Sequence, residues 1–436
     1  MITSGARRAA RARRRAILAV AAAVAAGALA PAAAQADSPP GLGPDFLWGV
    51  SSSGFQSEGA APDSNWSRLA ASGRMSDPYG ESVDFYHRYA QDIRLAADLG
   101  VKVYRISVEW ARVQPEPDRW DEQGFAFYDR VIAAIHAAGM RPMITLDHWV
   151  YPGWADDRGG WSDPGMPDAW LANARRVVDR YADADPLWVT INEPTAYAGL
   201  AAAYGGLPAT ELPAMFDRLV TVHEAIYDYI HARTPDAMVT SNVAYLSGLE
   251  SLSERPFEDR IANALDYIGI DYYYGDPPGP EIAAGRPWES ALQPEGIYYA
   301  LRHYARAFPG KPLYIVENGM PTENAEPRAD GYTRADNLRD SIYWVQRAKA
   351  DGMNIIGYNY WSLTDNYEWG SYTPRFGLYT VDVRTDPTLT RHATDAVPAY
   401  RAIITADSVP AGYHPTRPPL PCSIVDPPTS CTEPVR

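Results

Sequence analysis

Short apolar runs alternate with longer stretches of helical period between Asp45 and about Ala406. Eight of the runs have the length and composition expected of buried strands: Phe46–Val50, Lys102–Val108, Arg141–Leu146, Leu187–Ile191, Ala237–Asn242, Tyr267–Tyr272, Leu313–Val316 and Asn354–Trp361. Since a helical stretch follows each run, the pattern predicts parallel strands that are joined by helices.

The intervening stretches place apolar side chains three or four positions apart, as on one face of an amphipathic helix. Three such faces are Phe85, Tyr89, Ile93 and Ala96; Phe125, Tyr128, Ile132 and Ile135; and Leu338, Ile342 and Val345. Residues 247–264, where the fifth helix is expected, show a poor pattern, so the boundaries of that helix stay undefined.

Eight strand–helix units over about 360 residues predict an α/β fold, a single (β/α)8 TIM barrel. The alternative architecture is an open doubly wound sheet, which usually carries a Gly-rich phosphate loop after its first strand. The loop at residues 51–56 lacks the G-x-G-x-x-G pattern, and no repeat or linker divides the chain. The sequence therefore favours one closed barrel.

The first 36 residues have the layout of a secretory signal peptide. Six arginines and no acid precede an Ala-rich run at residues 16–30, and residues 34–36, AQA, form a small-residue cleavage site. The arginine pair at residues 14–15 also resembles a twin-arginine export signal. A membrane anchor is the alternative, but a bilayer span needs roughly 20 strongly apolar residues. We therefore predict a secreted protein, exported by the twin-arginine or the general secretory route, without a membrane anchor.

We expect the barrel domain to occupy residues 37–412 and a Pro-rich tail to occupy residues 413–436. Seven of the 24 tail residues are Pro, which predicts a stiff, extended segment. The only two cysteines, Cys422 and Cys431, lie in this tail. They suit neither a four-ligand zinc site nor a disulfide framework. A single disulfide that closes a small loop and a reduced pair both remain open.

The net charge limits the classes of partner. Without the six arginines of the signal, the charge of −15 becomes −21. This acidity disfavours nucleic acid and anionic membranes as partners. The 13 Trp and 29 Tyr suit a sugar-binding cleft, because sugar faces stack on aromatic rings, but a large aromatic core would give the same count.

Polar and aromatic residues lie within or just after the carboxyl-terminal part of most predicted strands: Gln56, Glu58, Arg105, Glu109, Trp110, His148, Trp149, Asn192, Glu193, Asp271, Tyr273, Glu317 and Trp361. For any one of them, an ordinary loop or cap position is an equally good explanation. Their concentration at one rim favours an active site, because barrel enzymes hold their active sites there.

Two carboxylates end apolar runs: Glu193 follows LWVTIN and Glu317 follows LYIV. Strands four and seven lie on opposite sides of an eight-membered ring, so these groups can face each other across a pocket. Such a pair is the machinery of glycoside hydrolysis. One carboxyl protonates the leaving oxygen, and the other attacks the anomeric carbon or activates water. The simpler alternative is that Glu317 is only the first solvated residue after its strand.

Seven segments carry a resemblance to a known family: FLWGVSSSGFQSEG, VYRISVEWARVQP, ITLDHW, WVTINEP, YIGIDYYYG, YIVENG and YWSLTDNYEWGSYTPRFGLYTVD. They occur in the family's order over nearly all of residues 45–405. The chain resembles glycoside hydrolase family 1, the β-glucosidase and β-glycosidase family. GFQSEG and SVEW are similar to the archaeal β-glycosidase branch.

The resemblance implies a retaining mechanism with Glu317 as the nucleophile and Glu193 as the acid/base. Arg105 would keep Glu317 ionised, and Tyr273 would donate a hydrogen bond to it. The charge of Glu317 would make ionisation of Glu193 costly, so that Glu193 keeps its proton. A structural salt bridge for Arg105 and a stacking or core position for Tyr273 are the alternatives.

The resemblance also implies which residues bind the sugar. The residues expected to hydrogen-bond its hydroxyls are Gln56, His148, Trp149, Asn192, Glu368 and Trp369. Asn192 would contact the 2-hydroxyl, and Trp361 would form a stacking floor. Glu368 would accept from the 4- and 6-hydroxyls and repel a 6-phosphate, which implies free glycosides as substrates.

Two features depart from the family pattern. Asp271 stands where the family usually has Asn, and an extra carboxylate there is expected to raise neighbouring acid pKa values or alter the subsites. Only 124 positions separate Glu193 from Glu317, fewer than is usual. This shortening predicts a more open entrance to the pocket.

The leading hypothesis is a secreted, retaining exo-β-glycosidase that hydrolyses small O-linked β-glycosides without a metal or cofactor. A transglycosidase that uses the same covalent intermediate is the alternative, and a non-catalytic carbohydrate-binding protein is a third hypothesis. The sequence does not indicate the sugar, the aglycone, the pH optimum or the oligomeric state.

Overall fold

The computed structural model describes residues 39–204, 206–275, 280–420, 422–423, 425–426 and 429–435. The predicted signal peptide, residues 1–36, lies outside the described residues. Within the described ranges, no helix combines the length and the apolar character needed to cross a membrane.

Eight parallel strands close into a barrel in chain order. They are β1 (Leu47–Ser51), β2 (Val103–Ser107), β3 (Arg141–Asp147), β4 (Leu187–Asn192), β5 (Met238–Ala244), β6 (Ile268–Asp271), β7 (Leu313–Asn318) and β8 (Ile355–Trp361). Strand β8 pairs with both β7 and β1, which closes the ring. The predicted barrel is confirmed, and the observed strand ends lie within about two residues of the predicted ones.

The long helices surround the barrel: α1 (Phe85–Leu99), α2 (Glu122–Ala137), α3 (Met166–Tyr181), α4 (Pro194–Ala203), α5 (Leu212–Arg233), α6 (Gly296–Ala307), α7 (Arg334–Ala350) and α8 (Ala396–Ala406). Short helices in the connections are Gly54–Ser57, Asn65–Ala71, Trp110–Val113, Gly153–Asp156, Pro280–Ala283 and Thr429–Thr432. Two small strand pairs also form, Thr322–Glu323 with Pro374–Arg375 and Tyr379–Thr380 with His392–Ala393.

The connection between β5 and β6 differs from the others. A four-residue helix, a π turn and a 3-10 turn replace a long helix there: Glu250–Ser253, Glu254–Glu258 and Ala262–Ala264. Pro256 lies within the π turn. It has no N–H to donate and its ring clashes with the preceding turn of a helix. This interruption accounts for the poor helical pattern of residues 247–264.

The strands bury side chains on both faces. Those within the barrel pack together: Val103, Met143, Leu187, Val189, Tyr267, Tyr314 and Val316. Those on the outer face pack against the helices. Gly357 of β8 lies so close to the ring of Tyr314 that a Cβ atom would approach it within 2.2 Å. Because both faces are buried, parallel strands are nearly continuous apolar runs, and polar residues stand out where the runs end.

The described part of the Pro-rich tail packs on the barrel domain. Asp340 of α7 accepts three hydrogen bonds from it, from the Tyr413 hydroxyl at 2.6 Å, Thr416 N–H at 2.8 Å and Arg417 N–H at 2.9 Å. Arg302 of α6 donates to the backbone carbonyl of Glu433 at 2.7 Å. A disulfide joins Cys422 to Cys431.

Candidate active site

The carboxyls of Glu193 and Glu317 face each other at the carboxyl end of the barrel. Glu193 directly follows β4, and Glu317 lies on β7. A carboxylate oxygen of each lies within 4.8 Å of one of the other. Glu317 is buried, whereas Glu193 is partly exposed to the pocket. The backbone of Glu193 is left-handed, with φ 40°, and its N–H donates to the carbonyl of Asn242 at 3.1 Å.

Arg105 holds the nearby acids in place from β2, where its side chain is wholly buried. Its Nη1 forms an ion pair with Oε1 of Glu317. Its Nη2 donates to Oδ1 of Asn192 at 2.6 Å, and its Nε donates to Thr145 at 2.9 Å. The Tyr273 hydroxyl donates to the second oxygen of Glu317 at 2.7 Å. Both oxygens of Glu317 therefore receive a donor that stabilises the carboxylate.

Glu193 has the opposite electrostatic setting. Its enclosure in the barrel mouth raises its pKa to about 8, and the charge of Glu317 is the second cause. Arg105 and a hydrogen bond from Nδ2 of Asn192, at 3.3 Å, act against this rise. The charge of Glu317 is the cause predicted from the sequence, and burial is the larger cause in the structure. The two facing acids thus differ, one paired with a cation and one protonated.

The opposite wall of the pocket carries Gln56 and Glu368. The Gln56 amide nitrogen donates to Oε2 of Glu368 at 3.2 Å, and the Trp361 indole donates to Oε1 at 3.2 Å. Ser53 fixes the Gln56 amide by donating to its Oε1 at 2.6 Å. Burial raises the pKa of Glu368 to about 8. The carboxyl is therefore largely neutral at pH 7, when it can donate as well as accept a hydrogen bond.

Stacked rings connect this wall to the two facing acids. The His148 ring stacks on Trp361 and on Trp369, with centroid distances of 6.0 and 5.9 Å. Trp369 in turn stacks on Trp149 at 4.5 Å. The Trp149 indole donates to the backbone carbonyl of Asn192 at 2.7 Å. Every catalytic and sugar-binding residue that the family resemblance implies therefore belongs to one connected group of contacts.

His148 is neutral in this setting. Burial, followed by the charge of Arg105, holds its pKa well below the usual range. Its Nδ1 is buried and has no hydrogen-bond partner among the described residues. A neutral imidazole offers one donor and one acceptor nitrogen, so the hydrogen-bonding capacity of Nδ1 is left unused by the described residues.

Sequence reasoning missed Asp147 as part of this site. It accepts hydrogen bonds from the Trp149 N–H at 2.8 Å and the Trp170 indole at 2.9 Å. Burial raises its pKa to about 7. Trp149 has a left-handed backbone, with φ 72°, so Asp147 fixes a strained residue of the pocket wall. Its position between a strand and His148 was the available signal.

Asn242, at the carboxyl end of β5, was also missed. Its Nδ2 donates to Oδ1 of Asn192 at 2.8 Å and to Oδ2 of Asp271. Asp271 itself is buried, and one of its oxygens lies within 4.8 Å of oxygens of both Glu193 and Glu317. The sequence predicts no metal site, yet these three acids are close enough to share a cation. Arg105 already neutralises Glu317, and burial raises the pKa of the other two carboxyls, an arrangement that favours protons over a cation.

The model of the glycosyl hydrolase family 1 matches residues 41–245 and 280–409. That range includes every residue of the contact group apart from Asp271 and Tyr273, and it covers more than half of the chain. The chain belongs to glycosyl hydrolase family 1. As a member of this family, it is a glycoside hydrolase that acts on O-glycosyl bonds and is similar to β-glucosidases.

Three of the similar proteins are named as glycosidases or as a glycosyltransferase. The 1,4-beta-D-glucan glucohydrolase of Thermotoga neapolitana is 28% identical over 424 residues, which cover 78% of this chain and 97% of that protein. The β-glycosidase from Pyrococcus horikoshii is 25% identical in sequence, with a TM-score of 0.75 over 85% of this chain and 96% of that one. The chloroplastic galactolipid galactosyltransferase of Arabidopsis thaliana is 29% identical over 356 residues, covering 70% of this chain and 56% of that protein.

Proposed function

We propose that this enzyme is a retaining exo-β-glycosidase that forms a covalent glycosyl-enzyme through Glu317. The observation that supports this most strongly is the distance of at most 4.8 Å between carboxylate oxygens of Glu193 and Glu317. Retaining glycosidases hold their carboxyls about 5–5.5 Å apart, whereas inverting ones need about 6.5–9.5 Å to accommodate a water.

In the first step, the Glu317 carboxylate attacks the anomeric carbon and forms an ester. The bond from that carbon to the aglycone oxygen breaks at the same time, and Glu193 gives its proton to this oxygen. The raised pKa of Glu193 keeps that proton available at neutral pH. Tyr273 and Arg105 position the attacking carboxylate through its two oxygens.

In the second step, Glu193 is a carboxylate and Glu317 is a neutral ester. The charge of Glu317, which raised the pKa of Glu193, is now absent, so Glu193 stays ionised and accepts a proton from water. The hydroxide oxygen attacks the anomeric carbon, and Glu317 leaves as a carboxylate. Arg105 has one carboxylate to neutralise in each state, which keeps the buried charge balanced through the cycle.

We propose that the glycone lies against the wall formed by Gln56, His148, Trp149, Trp361, Glu368 and Trp369, with Asn192 at its 2-hydroxyl. Glu368 would bind the 4- and 6-hydroxyls. The Gln56 amide and the Trp361 indole in contact with Glu368 are neutral donors. A 6-phosphate placed there would meet a carboxyl rather than a cation, so we propose free glycosides as substrates.

Transglycosylation is the second candidate. It shares the first step, and then an acceptor hydroxyl replaces water. The relative named as a galactolipid galactosyltransferase favours keeping this candidate. A non-catalytic sugar-binding protein is disfavoured, because both acids are present in a reactive arrangement. We also propose export from the cell, which is supported by the arginine-rich and Ala-rich start of the chain.

The decisive experiment traps the intermediate with a 2,4-dinitrophenyl 2-deoxy-2-fluoro-β-glucoside. We expect the intact mass of the wild type to increase by one fluoroglycosyl group, with peptide mapping placing it on Glu317. Glu317→Gly should take up no label and should lose hydrolysis of aryl β-glucosides. Glu323→Gly, at an exposed glutamate a few residues further on, is the control. Unimpaired hydrolysis by Glu317→Gly would refute the nucleophile, and products of methanol transfer in place of glucose would favour the transferase.

A further inference from the structure

Asp271 is a third acid beside the catalytic pair, and the proposed two-step reaction leaves it without a function. It ends β6 and pairs with Glu317 across a register shift between β6 and β7. Its side chain is buried at 1% exposure. An oxygen of Asp271 lies within 4.8 Å of oxygens of both catalytic acids. Asp271 therefore lies directly beside the proposed catalytic pair.

A chain of amide hydrogen bonds connects Asp271 to Asn192. Oδ2 of Asp271 accepts from Nδ2 of Asn242, and the same nitrogen donates to Oδ1 of Asn192 at 2.8 Å. Arg105 donates to that Asn192 oxygen as well, at 2.6 Å. With its oxygen occupied by two donors, the Asn192 amide must turn its nitrogen toward Glu193 and the sugar side of the pocket. Asp271 is the acceptor that fixes the Asn242 side-chain amide, which in turn donates to Asn192.

The charges around Asp271 favour its neutral form. The groups that face it are Arg105 from β2, Glu193 after β4, Glu317 from β7, Tyr273 after β6, and the uncharged Asn242 from β5. Arg105 is already paired with Glu317. Burial, followed by the charges of Glu317 and Glu193, raises the pKa of Asp271 well above its ordinary value. The family resemblance predicts raised pKa values in the neighbours of Asp271, and its charge does contribute to the raised pKa of Tyr273. The pKa of Asp271 itself also rises.

The two carboxyl oxygens of Asp271 have different surroundings. Oδ2 is occupied by the Asn242 amide, whereas Oδ1 is buried and has no hydrogen-bond partner among the described residues. A proton on Oδ1 leaves Oδ2 as an acceptor, so a neutral Asp271 holds Asn242 just as an ionised one would. The neutral form does so without placing a second anion on the single guanidinium of Arg105.

We propose that Asp271 is a positioning residue that, as a neutral carboxylic acid, aligns the Asn192 amide through Asn242 for contact with the sugar 2-hydroxyl. This inference rests on the proposed function, because the 2-hydroxyl contact does. An isosteric Asn can accept from Asn242 in the same way but cannot ionise. Ala removes the acceptor altogether.

The test compares Asp271→Asn and Asp271→Ala on 4-nitrophenyl β-glucoside and its 2-deoxy analogue. We expect Asp271→Ala to lower kcat/KM for the glucoside by about tenfold, the worth of one buried hydrogen bond, and to change the 2-deoxy analogue little. Asp271→Asn should retain most of the wild-type activity at pH 7. Asp266→Asn, just before the other end of the same strand, is the matched control and should leave the ratio between the two substrates unchanged.

A second readout uses pH and needs only Asp271→Asn, so it holds even where the Ala variant fails to fold. An ionised Asp271 would compete with Glu317 for Arg105, so its proton loss should lower activity in addition to the proton loss of Glu193. The fall of log kcat/KM at high pH should therefore be steeper in the wild type than in Asp271→Asn by one unit of slope, with circular dichroism confirming that both proteins remain folded.

Three results would overturn the inference. An unchanged substrate ratio in Asp271→Ala would refute the alignment of Asn192. Equal high-pH slopes in the wild type and Asp271→Asn would refute the neutral acid, and so would Ca²⁺ binding that the Asn variant abolishes. Failure of the proposed function has a separate signature, since the wild type would then hydrolyse neither substrate.

Discussion

The pocket has two sides that are built differently. On the catalytic side, Arg105 and Glu317 are borne by strands, and Glu193 directly follows one. Charged hydrogen bonds hold these residues, among them the two donors to Glu317. On the glycone side, Gln56 belongs to a short helix after β1, and Glu368 lies in the loop after β8. Stacked rings and neutral hydrogen bonds hold that side.

Under the proposed function, this difference separates chemistry from recognition. Proton transfer and bond formation require reacting atoms at fixed positions, and strand ends of a closed barrel supply that rigidity. Sugar recognition needs a surface of rings and neutral donors, which loops can provide and vary. Changes on the two sides should therefore produce different kinetic signatures.

Glu193→Ala should produce the largest effect of the three changes considered next. Removing a general acid lowers the rate by about 10²–10⁴-fold, and the loss should be much smaller for an aryl glucoside with a highly acidic leaving group. Steady-state kinetics across a series of phenols measures this dependence. Added azide should restore turnover and yield a β-glycosyl azide. A loss of rate that is equal for all leaving groups would indicate that Glu193 acts in sugar binding, like the residues of the glycone side.

Glu368→Ala should produce an intermediate effect that does not depend on the leaving group. Two hydrogen bonds to the sugar are lost, so kcat/KM should fall about 10- to 100-fold for glucosides. For a 6-deoxyglucoside the loss should be smaller, because one partner hydroxyl is already absent. The control is Glu224→Ala, at an exposed position of α5. A variant that gains activity on a 6-phosphoglucoside would support the predicted exclusion of phosphate, whereas wild-type preference for that substrate would contradict it.

A change of pH should produce the smallest effect. Activity should fall about twofold at the pH that equals the pKa of Glu193. Glu193 must be protonated to act as the acid, and its pKa is raised to about 8. Activity on a poor leaving group should therefore be present below pH 8 and be lost as the pH rises through it. Glu368 titrates in the same range, so Glu368→Gln distinguishes the two acids. The loss of activity at alkaline pH should persist in Glu368→Gln. If it disappeared in this variant, Glu368 rather than Glu193 would be the group whose titration causes it.

Much of this architecture could be predicted because most of the strands are largely apolar runs with polar residues at or just after their carboxyl ends. The barrel, the facing acids and the stacked wall all follow from that alternation or from the family resemblance. The fifth connection could not be bounded, because Pro256 removes its helical period. Asp147 and Asn242 were missed for another reason. Their contacts with Trp149 and Asn192 depend on backbone geometry and on strand register. Residue spacing in the sequence specifies neither of these.

The left-handed backbone of Glu193 sets a stability–activity conflict at one position. Non-glycine residues with a φ of 40° are strained, and Gly adopts this region without penalty. Selection for heat resistance alone would therefore be expected to enrich Gly at position 193 and discard the proton donor. A library screened for thermal tolerance and then for turnover would separate into two populations at that codon.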